Sequence, residues 1–265
     1  MRRAYGMMLS IFMLAMVLAV PQQAVAADDQ EIQGSALRYT AIGDSIGFGF
    51  GGILGYVPRY QYYISIDNKK WVIVHNESVG GWKSDQLLKA LQNDSGMRKN
   101  IARADVLTYE IGGNDMRAAR NKYIKGTCGG ADNQDCMRDT VARLKDEWVQ
   151  ITDIIIELRN GDTSNFKTMN LYNPYVKEDK KAKSHDGTKS RFEVFKPYLD
   201  EFNQFIEEKQ SMGYLMADVY TEFNGDSHEE DPVQAGYIFI DGLHPNDKGY
   251  KKIAQTFRKL GYDEF

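Results

Sequence analysis

Five short runs of apolar, β-branched and aromatic residues stand out along the chain, at 37–43, 71–76, 105–111, 167–172 and 214–220. Their length and residue types predict strands. Between them the apolar positions recur at three- and four-residue steps. Val141, Leu144, Trp148, Ile151, Ile154, Ile155 and Leu158 form the clearest such stripe and predict a helix with one buried face. Further helical patterns cover 85–92, 192–212 and 247–260, the last beginning at Asp247 near an N-cap and ended by Gly261. Strands alternating with helices predict an α/β fold of three layers, α/β/α, around a five-stranded, mainly parallel sheet. In such sheets ligands bind beyond the carboxyl ends of the strands.

The first residues follow a different pattern. Arg2 and Arg3 precede an apolar stretch at 7–20, and Pro21 with Ala24-Val25-Ala26 supplies a break and a small-x-small site. This predicts a signal peptide at 1–26, cleaved after Ala26, and a secreted single domain at 27–265. The apolar stretch is shorter than the roughly 20 residues that span a bilayer, so no stable membrane insertion is expected after cleavage. Removing Arg2 and Arg3 from the 33 basic residues leaves 31 against 37 acidic ones. An acidic balance gives no reason to expect nucleic acid or an anionic membrane as partner, and a monomer is sufficient.

Candidate chemistry gathers at the strand ends. The run through Ile42 stops at Gly43-Asp44-Ser45, where a strand delivers one hydroxyl to the rim of the sheet; Ser45 reads as a nucleophile. A serine needs a base to take its proton. Near the C-terminus, Asp241-Gly242-Leu243-His244 places an acid and an imidazole three residues apart, so that the carboxylate can hold one ring nitrogen while the other faces Ser45. The loops Asn76-Glu77-Ser78-Val79-Gly80-Gly81 and Gly112-Gly113-Asn114-Asp115 each follow an apolar run and offer donors to a developing oxyanion.

Gly43-Asp44-Ser45, Gly81 in its 76–81 context, Gly112-Gly113-Asn114-Asp115 and Asp241-x-x-His244 resemble, in the same chain order, the four blocks of the SGNH (GDSL-type) hydrolase superfamily. The resemblance implies that family's flavodoxin-like fold and a serine esterase or acylhydrolase. Ser45 would attack the ester, His244 would serve as base and acid, and Asp241 would hold His244. The N–H groups of Ser45 and Gly81, with the Asn114 amide, would form the oxyanion hole. Gly81 is chosen by counting five residues from Asn76, and the adjacent Gly80 stays open. No cofactor or metal is implied, and the substrate would be a lipid, an acylated polysaccharide or a small ester.

Two other classes compete. A metal-dependent phosphoesterase would recruit Asp44, Asn114, Asp115, Asp241 and His244 as ligands. A binding module would keep the fold without turnover. The glycines at 43–52 only partly fit a dinucleotide fingerprint, and no Gly-Lys-Ser/Thr follows. Cys128 and Cys136, the only cysteines, are expected to form a disulfide in an oxidising compartment. They lie in a polar stretch, 116–136, that leaves the Asn114 turn as a loop and borders the cleft. A second polar stretch, 173–190, carrying Lys177, Lys180, Lys181, Lys183 and Lys189, is expected to be a solvated loop. His185 and His228 read as surface residues, and His75 as a packed strand-end histidine. Most of the aromatics read as core, while Phe48, Phe50 and Trp82 flank the proposed site.

Overall fold

The computed structural model describes Ala36–Phe265. The signal-peptide reading of 1–26 lies outside the described residues. In chain order the elements are β1 (Leu37–Ile42), α1 (Ser45–Phe48), α2 (Tyr56–Asn68), β2 (Val72–Asn76), α3 (Ser84–Asn93), α4 (Ser95–Ala102), β3 (Val106–Tyr109) and α5 (Gly113–Ile124). They continue as α6 (Asp135–Leu158), β4 (Phe166–Met169), α7 (Val176–Lys181), α8 (Arg191–Glu208), β5 (Leu215–Ala217), α9 (Val219–Asn224) and α10 (Asp247–Lys259). The strands form one sheet in the order β2-β1-β3-β4-β5, every pair parallel. All five predicted strands are present.

Alternation along the strands divides the core in two, because successive side chains leave opposite faces of a sheet. Leu107 and Tyr109 of β3 and Phe166 of β4 join Trp148, Ile151 and Ile155 of α6 and Phe202 of α8 on one face. Tyr39 and Ala41 of β1 and Val106 of β3 join Tyr56 and Tyr60 of α2 and Ile253 and Phe257 of α10 on the other. Of the α6 stripe, Val141, Leu144, Trp148, Ile151 and Ile155 are buried, while Ile154 and Leu158 at its edge are half-buried. Lys167, on β4, is buried among aromatics; its Nζ donates to Tyr60 Oη at 2.7 Å and to the Gly261 carbonyl, and lies 4.5 Å from the Tyr262 ring centroid.

Several boundaries differ from the sequence pattern for local reasons. The run at 214–220 yields only three strand residues, because Asp218 accepts from the N–H of Thr221 and caps α9. Helix α10 begins at Asp247 as expected and its cap is Asn246; Asn246 Oδ1 accepts from Lys248 and Gly249, and the Asp247 carboxylate accepts from Ile53 and Leu54. The stretch 116–136 is not a loop throughout, since residues up to Ile124 continue α5. Only the short turn closed by the Cys128–Cys136 disulfide separates α5 from α6. The lysine-rich stretch 173–190 likewise contains α7, pinned by a buried ion pair from Arg120 to Asp179 at 2.5 Å. Among the described residues no helix is long and apolar enough to cross a membrane.

Candidate active site

The C-terminal end of β1 turns directly into α1, and Ser45 is the first residue of that helix. The turn is tight because glycine lets the chain pass against its neighbour: a Cβ on Gly43 would collide with the side chain and carbonyl of Glu110, the residue that follows β3. Gly49, at φ 91°, then ends α1 in the left-handed conformation that glycine adopts without strain.

Residues 199 positions apart in sequence meet here. His244 Nε2 lies 2.9 Å from Ser45 Oγ, and His244 Nδ1 lies 2.6 Å from Asp241 Oδ2. Burial opposes ionisation of Asp241. Bonds from the His244 ring and from the N–H groups of Leu243 (2.9 Å) and His244 (3.0 Å) outweigh that and hold its pKa below the usual carboxylate value. An ionised carboxylate only accepts, so Nδ1 carries the proton that is donated to Asp241, and the Ser45 hydroxyl donates to Nε2. The histidine turn is itself held, by Tyr172 Oη donating to the Leu243 carbonyl at 2.7 Å and by the Phe50 ring, 4.6 Å from the imidazole between centroids.

The donors for an oxyanion are arranged less simply than the sequence suggests. The N–H groups of Ser45 and Gly81 have no acceptor among the described residues. Gly81, at φ 84°, and Gly80 both lie exposed in the turn after β2, with nothing within 4 Å of an added Cβ. Asn114, by contrast, has both amide hydrogens engaged, one with Asp44 Oδ2 at 3.0 Å and one with the Trp82 carbonyl at 2.9 Å. Asp44 is fully enclosed, and burial pushes its pKa up to about 6 against the opposing hydrogen bond from Ile46 N–H.

Ser45, Asn114 and His244 border a cleft that is partly open to solvent. Its walls are mainly apolar, with Met116 of α5, Met169 of β4, Leu171, Tyr172 and Tyr175 beyond it, and Phe195 and Leu199 of α8, while Arg117 and Asn170 add polar groups. The sequence reading missed this wall. Phe195 and Leu199 stand at i and i+4, a spacing that marks a buried helix face without saying whether a core or a cavity lies beside it.

The ligand set that a metal-dependent phosphoesterase would need is engaged in other hydrogen bonds. Asp115 is committed to Ser84 N–H (3.1 Å) and Arg143 (2.7 Å), Asp44 to the turn of α1 and Asn114, and Asp241 to His244. Among the described residues no group of three or more His, Cys, Asp or Glu side chains is placed to hold a metal ion. His75 is half-buried on β2 as expected, and His185 is exposed as expected, its backbone N–H donating to Tyr123 Oη at 3.0 Å. His228 is not simply a surface residue; it stacks on Tyr220 at 3.9 Å.

The family model described as GDSL-like lipase/acylhydrolase matches residues 39–257, which contain every residue of this constellation. The chain belongs to that family. It is thus a carboxylic ester hydrolase of the GDSL type. The spore germination lipase LipC of Bacillus licheniformis is 24% identical over 232 residues, covering 85% of this hydrolase and 97% of the relative. The uncharacterized protein YpmR of Bacillus subtilis is 27% identical over 229 residues, covering 83% and 81%. Among solved structures, the lipase Lip_vut3 from a goat rumen metagenome has the same fold, with a TM-score of 0.70 at 23% identity over 86% of this hydrolase and 99% of that chain. Axe2, an acetylxylan esterase from Geobacillus stearothermophilus, aligns at a TM-score of 0.53 and 17% identity over 86% and 95%.

Proposed function

We propose that this GDSL-type hydrolase is an exported lipase-like esterase that cleaves acyl esters through an acyl-enzyme on Ser45. The observation that carries the proposal is the hydrogen-bonded chain Ser45–His244–Asp241 at the mouth of a cavity with an apolar wall. Ser45 Oγ bonds to the ester carbonyl carbon while His244 Nε2 takes its proton, and Asp241 stabilises the imidazolium. The oxyanion is held by the N–H groups of Ser45 and Gly81 and by Asn114, whose amide turns one hydrogen from its present acceptor to the substrate. Collapse breaks the bond to the alcohol oxygen, which leaves with the proton from Nε2. Water, deprotonated by the same nitrogen, then releases the acid and restores Ser45.

The cavity wall favours a hydrocarbon acyl chain over acetate, because an acetyl group leaves the wall beyond Asn114 uncovered. A lipid ester is therefore the preferred substrate class, as the names of LipC and Lip_vut3 suggest for those proteins. The Cys128–Cys136 disulfide supports export to an oxidising compartment. Intact mass after fluorophosphonate treatment tests the nucleophile: one adduct is expected on the parent and none on Ser45→Ala, with p-nitrophenyl ester hydrolysis lost in parallel. An adduct that persists in Ser45→Ala would overturn the assignment. N-terminal sequencing of the exported protein, expected to begin at Ala27, tests the processing.

A further inference from the structure

Four consecutive backbone N–H groups open the turn that carries the nucleophile, and they are distributed unequally. Those of Asp44 and Gly47 both donate to one oxygen of Glu110, at 2.7 and 3.0 Å. That of Ile46 donates to Asp44 Oδ1 at 2.9 Å. Only the N–H of Ser45 is left without an acceptor among the described residues. Glu110 thus takes the donors on either side of the one an oxyanion needs.

Glu110 is 1% exposed and carries no ion-pair partner among the described residues. Burial and then the charge of the adjacent Asp44 push its pKa well above the ordinary carboxyl value. Its packing is tight on the nucleophile side: a Cβ on Gly43 would collide with its side chain, and one on Gly47 would lie 3.2 Å from Oε1. The same carboxyl also borders the substrate cavity. Through Asp44 its influence reaches the third donor, because Asp44 Oδ2 accepts from the Asn114 amide.

We infer that Glu110 is a positioning residue for the reaction: its buried carboxyl fixes the Asp44–Gly47 turn so that the Ser45 N–H faces the oxyanion, and through Asp44 it orients the Asn114 amide. This rests on the acyl-enzyme reading given above. Glu110 does not touch the reacting atoms. Its contribution is to the alignment of donors that are used fully only in the transition state, so its loss is expected in kcat and not in KM.

The test compares Glu110→Gln with Glu110→Leu in the full-length processed enzyme, on one p-nitrophenyl ester. Gln keeps an oxygen for the two N–H groups, and kcat within about threefold of the parent is expected. Leu has a similar size and no acceptor, and kcat is expected to fall about 10- to 100-fold, with KM within about threefold. The rate of fluorophosphonate labelling of Ser45 should fall with kcat. Parental kcat in Glu110→Leu would overturn the inference, as would Glu110→Gln falling as far as Glu110→Leu. If Glu110→Leu does not fold, Glu110→Asp decides: its carboxyl ends one methylene short of the N–H groups, so a lowered kcat supports the role and a parental one refutes it. Persistent labelling of Ser45→Ala would instead defeat the acyl-enzyme reading, whatever the Glu110 variants do.

Discussion

Acyl-chain preference follows directly from the cavity and can be tested quantitatively. Each methylene moved from water onto an apolar wall contributes about 0.8 kcal/mol, or roughly a fourfold gain in kcat/KM per carbon. Six methylenes separate acetate from octanoate, which sets a ceiling of about 5 kcal/mol. The cleft is partly open to solvent, so burial is incomplete and a rise on the order of 10²-fold from acetate to octanoate is the expected outcome. The assay is kcat/KM for p-nitrophenyl acetate, butyrate, hexanoate, octanoate and dodecanoate, kept below their micellar concentrations. The same series is then run on Leu199→Trp, which puts an indole where α8 supplies cavity wall. Octanoate turnover should fall at least about tenfold while acetate turnover stays within about threefold, since only the longer chain loses wall contact. Overpacking typically costs about 1–3 kcal/mol of stability, so a melting curve accompanies the kinetics. A profile flat from acetate to octanoate in the parent, or an equal loss on all chain lengths in Leu199→Trp, would refute the assignment of this cavity to the acyl chain.

The remaining expectations are independent of chain length. Asp241→Asn puts an amide donor against His244 and favours the tautomer with the proton on Nε2, so kcat should fall about 10³- to 10⁴-fold without loss of fold; a drop under tenfold would show that Asp241 is not the partner that sets the tautomer. Replacing Cys128 and Cys136 by Ser removes a link across a sequence separation of 8; the chain-entropy model gives about 2–3 kcal/mol, which is about 5–10 °C in Tm for a domain of this size. The shift should sit at the lower end, because Asn133 independently ties Cys128 N–H to the Tyr123 carbonyl, and an unchanged Tm would contradict the bridge. Gly81→Ala forces a φ of 84° on a residue with a Cβ, so it should lower both Tm and kcat, whereas Gly80→Ala, in open space and without that φ, should leave kcat intact; the reverse pattern would make Gly80 the donor. Burial brings the Lys167 pKa down to about 8, so the native state sheds this proton before the unfolded chain does. The parent should therefore gain stability relative to Lys167→Met as pH rises from about 8 to about 10, by at most on the order of 3 kcal/mol, and a pH-independent difference in denaturant titrations would argue against that depressed pKa.

What local pattern dictates, the sequence carries openly. The strands at 37–43 and 105–111 are recognisable because a buried parallel strand needs a continuous apolar run, and α6 because a helix lying on a sheet needs one apolar stripe. The turns holding Ser45 and Asn114 are legible for a similar reason: chemistry at the end of a strand requires glycine and short polar residues where the chain reverses, whereas the run before His244 forms only an isolated bridge from Ile238 to Pro245. Helix α2 was less readable, since its Tyr56, Val57, Tyr60 and Ile64 face lies in a run rich in aromatic and β-branched residues that also suit a strand.

The rest was decided by juxtaposition in three dimensions. Nothing in the spacing of Glu110 announces a buried carboxyl collecting two N–H groups from a turn 63 to 66 residues away. Both hydrogens of Asn114 are claimed by acceptors on other loops, Asp44 and the Trp82 carbonyl, which its own motif does not reveal. The cavity wall is assembled from α5, from the segment beyond β4 and from α8, each contributing residues that a sequence alone assigns to an ordinary core. Periodicity records which face of an element is dry. Whether that face meets another side chain or an empty space shaped for a substrate depends on how distant elements pack, and that was settled only by the tertiary structure.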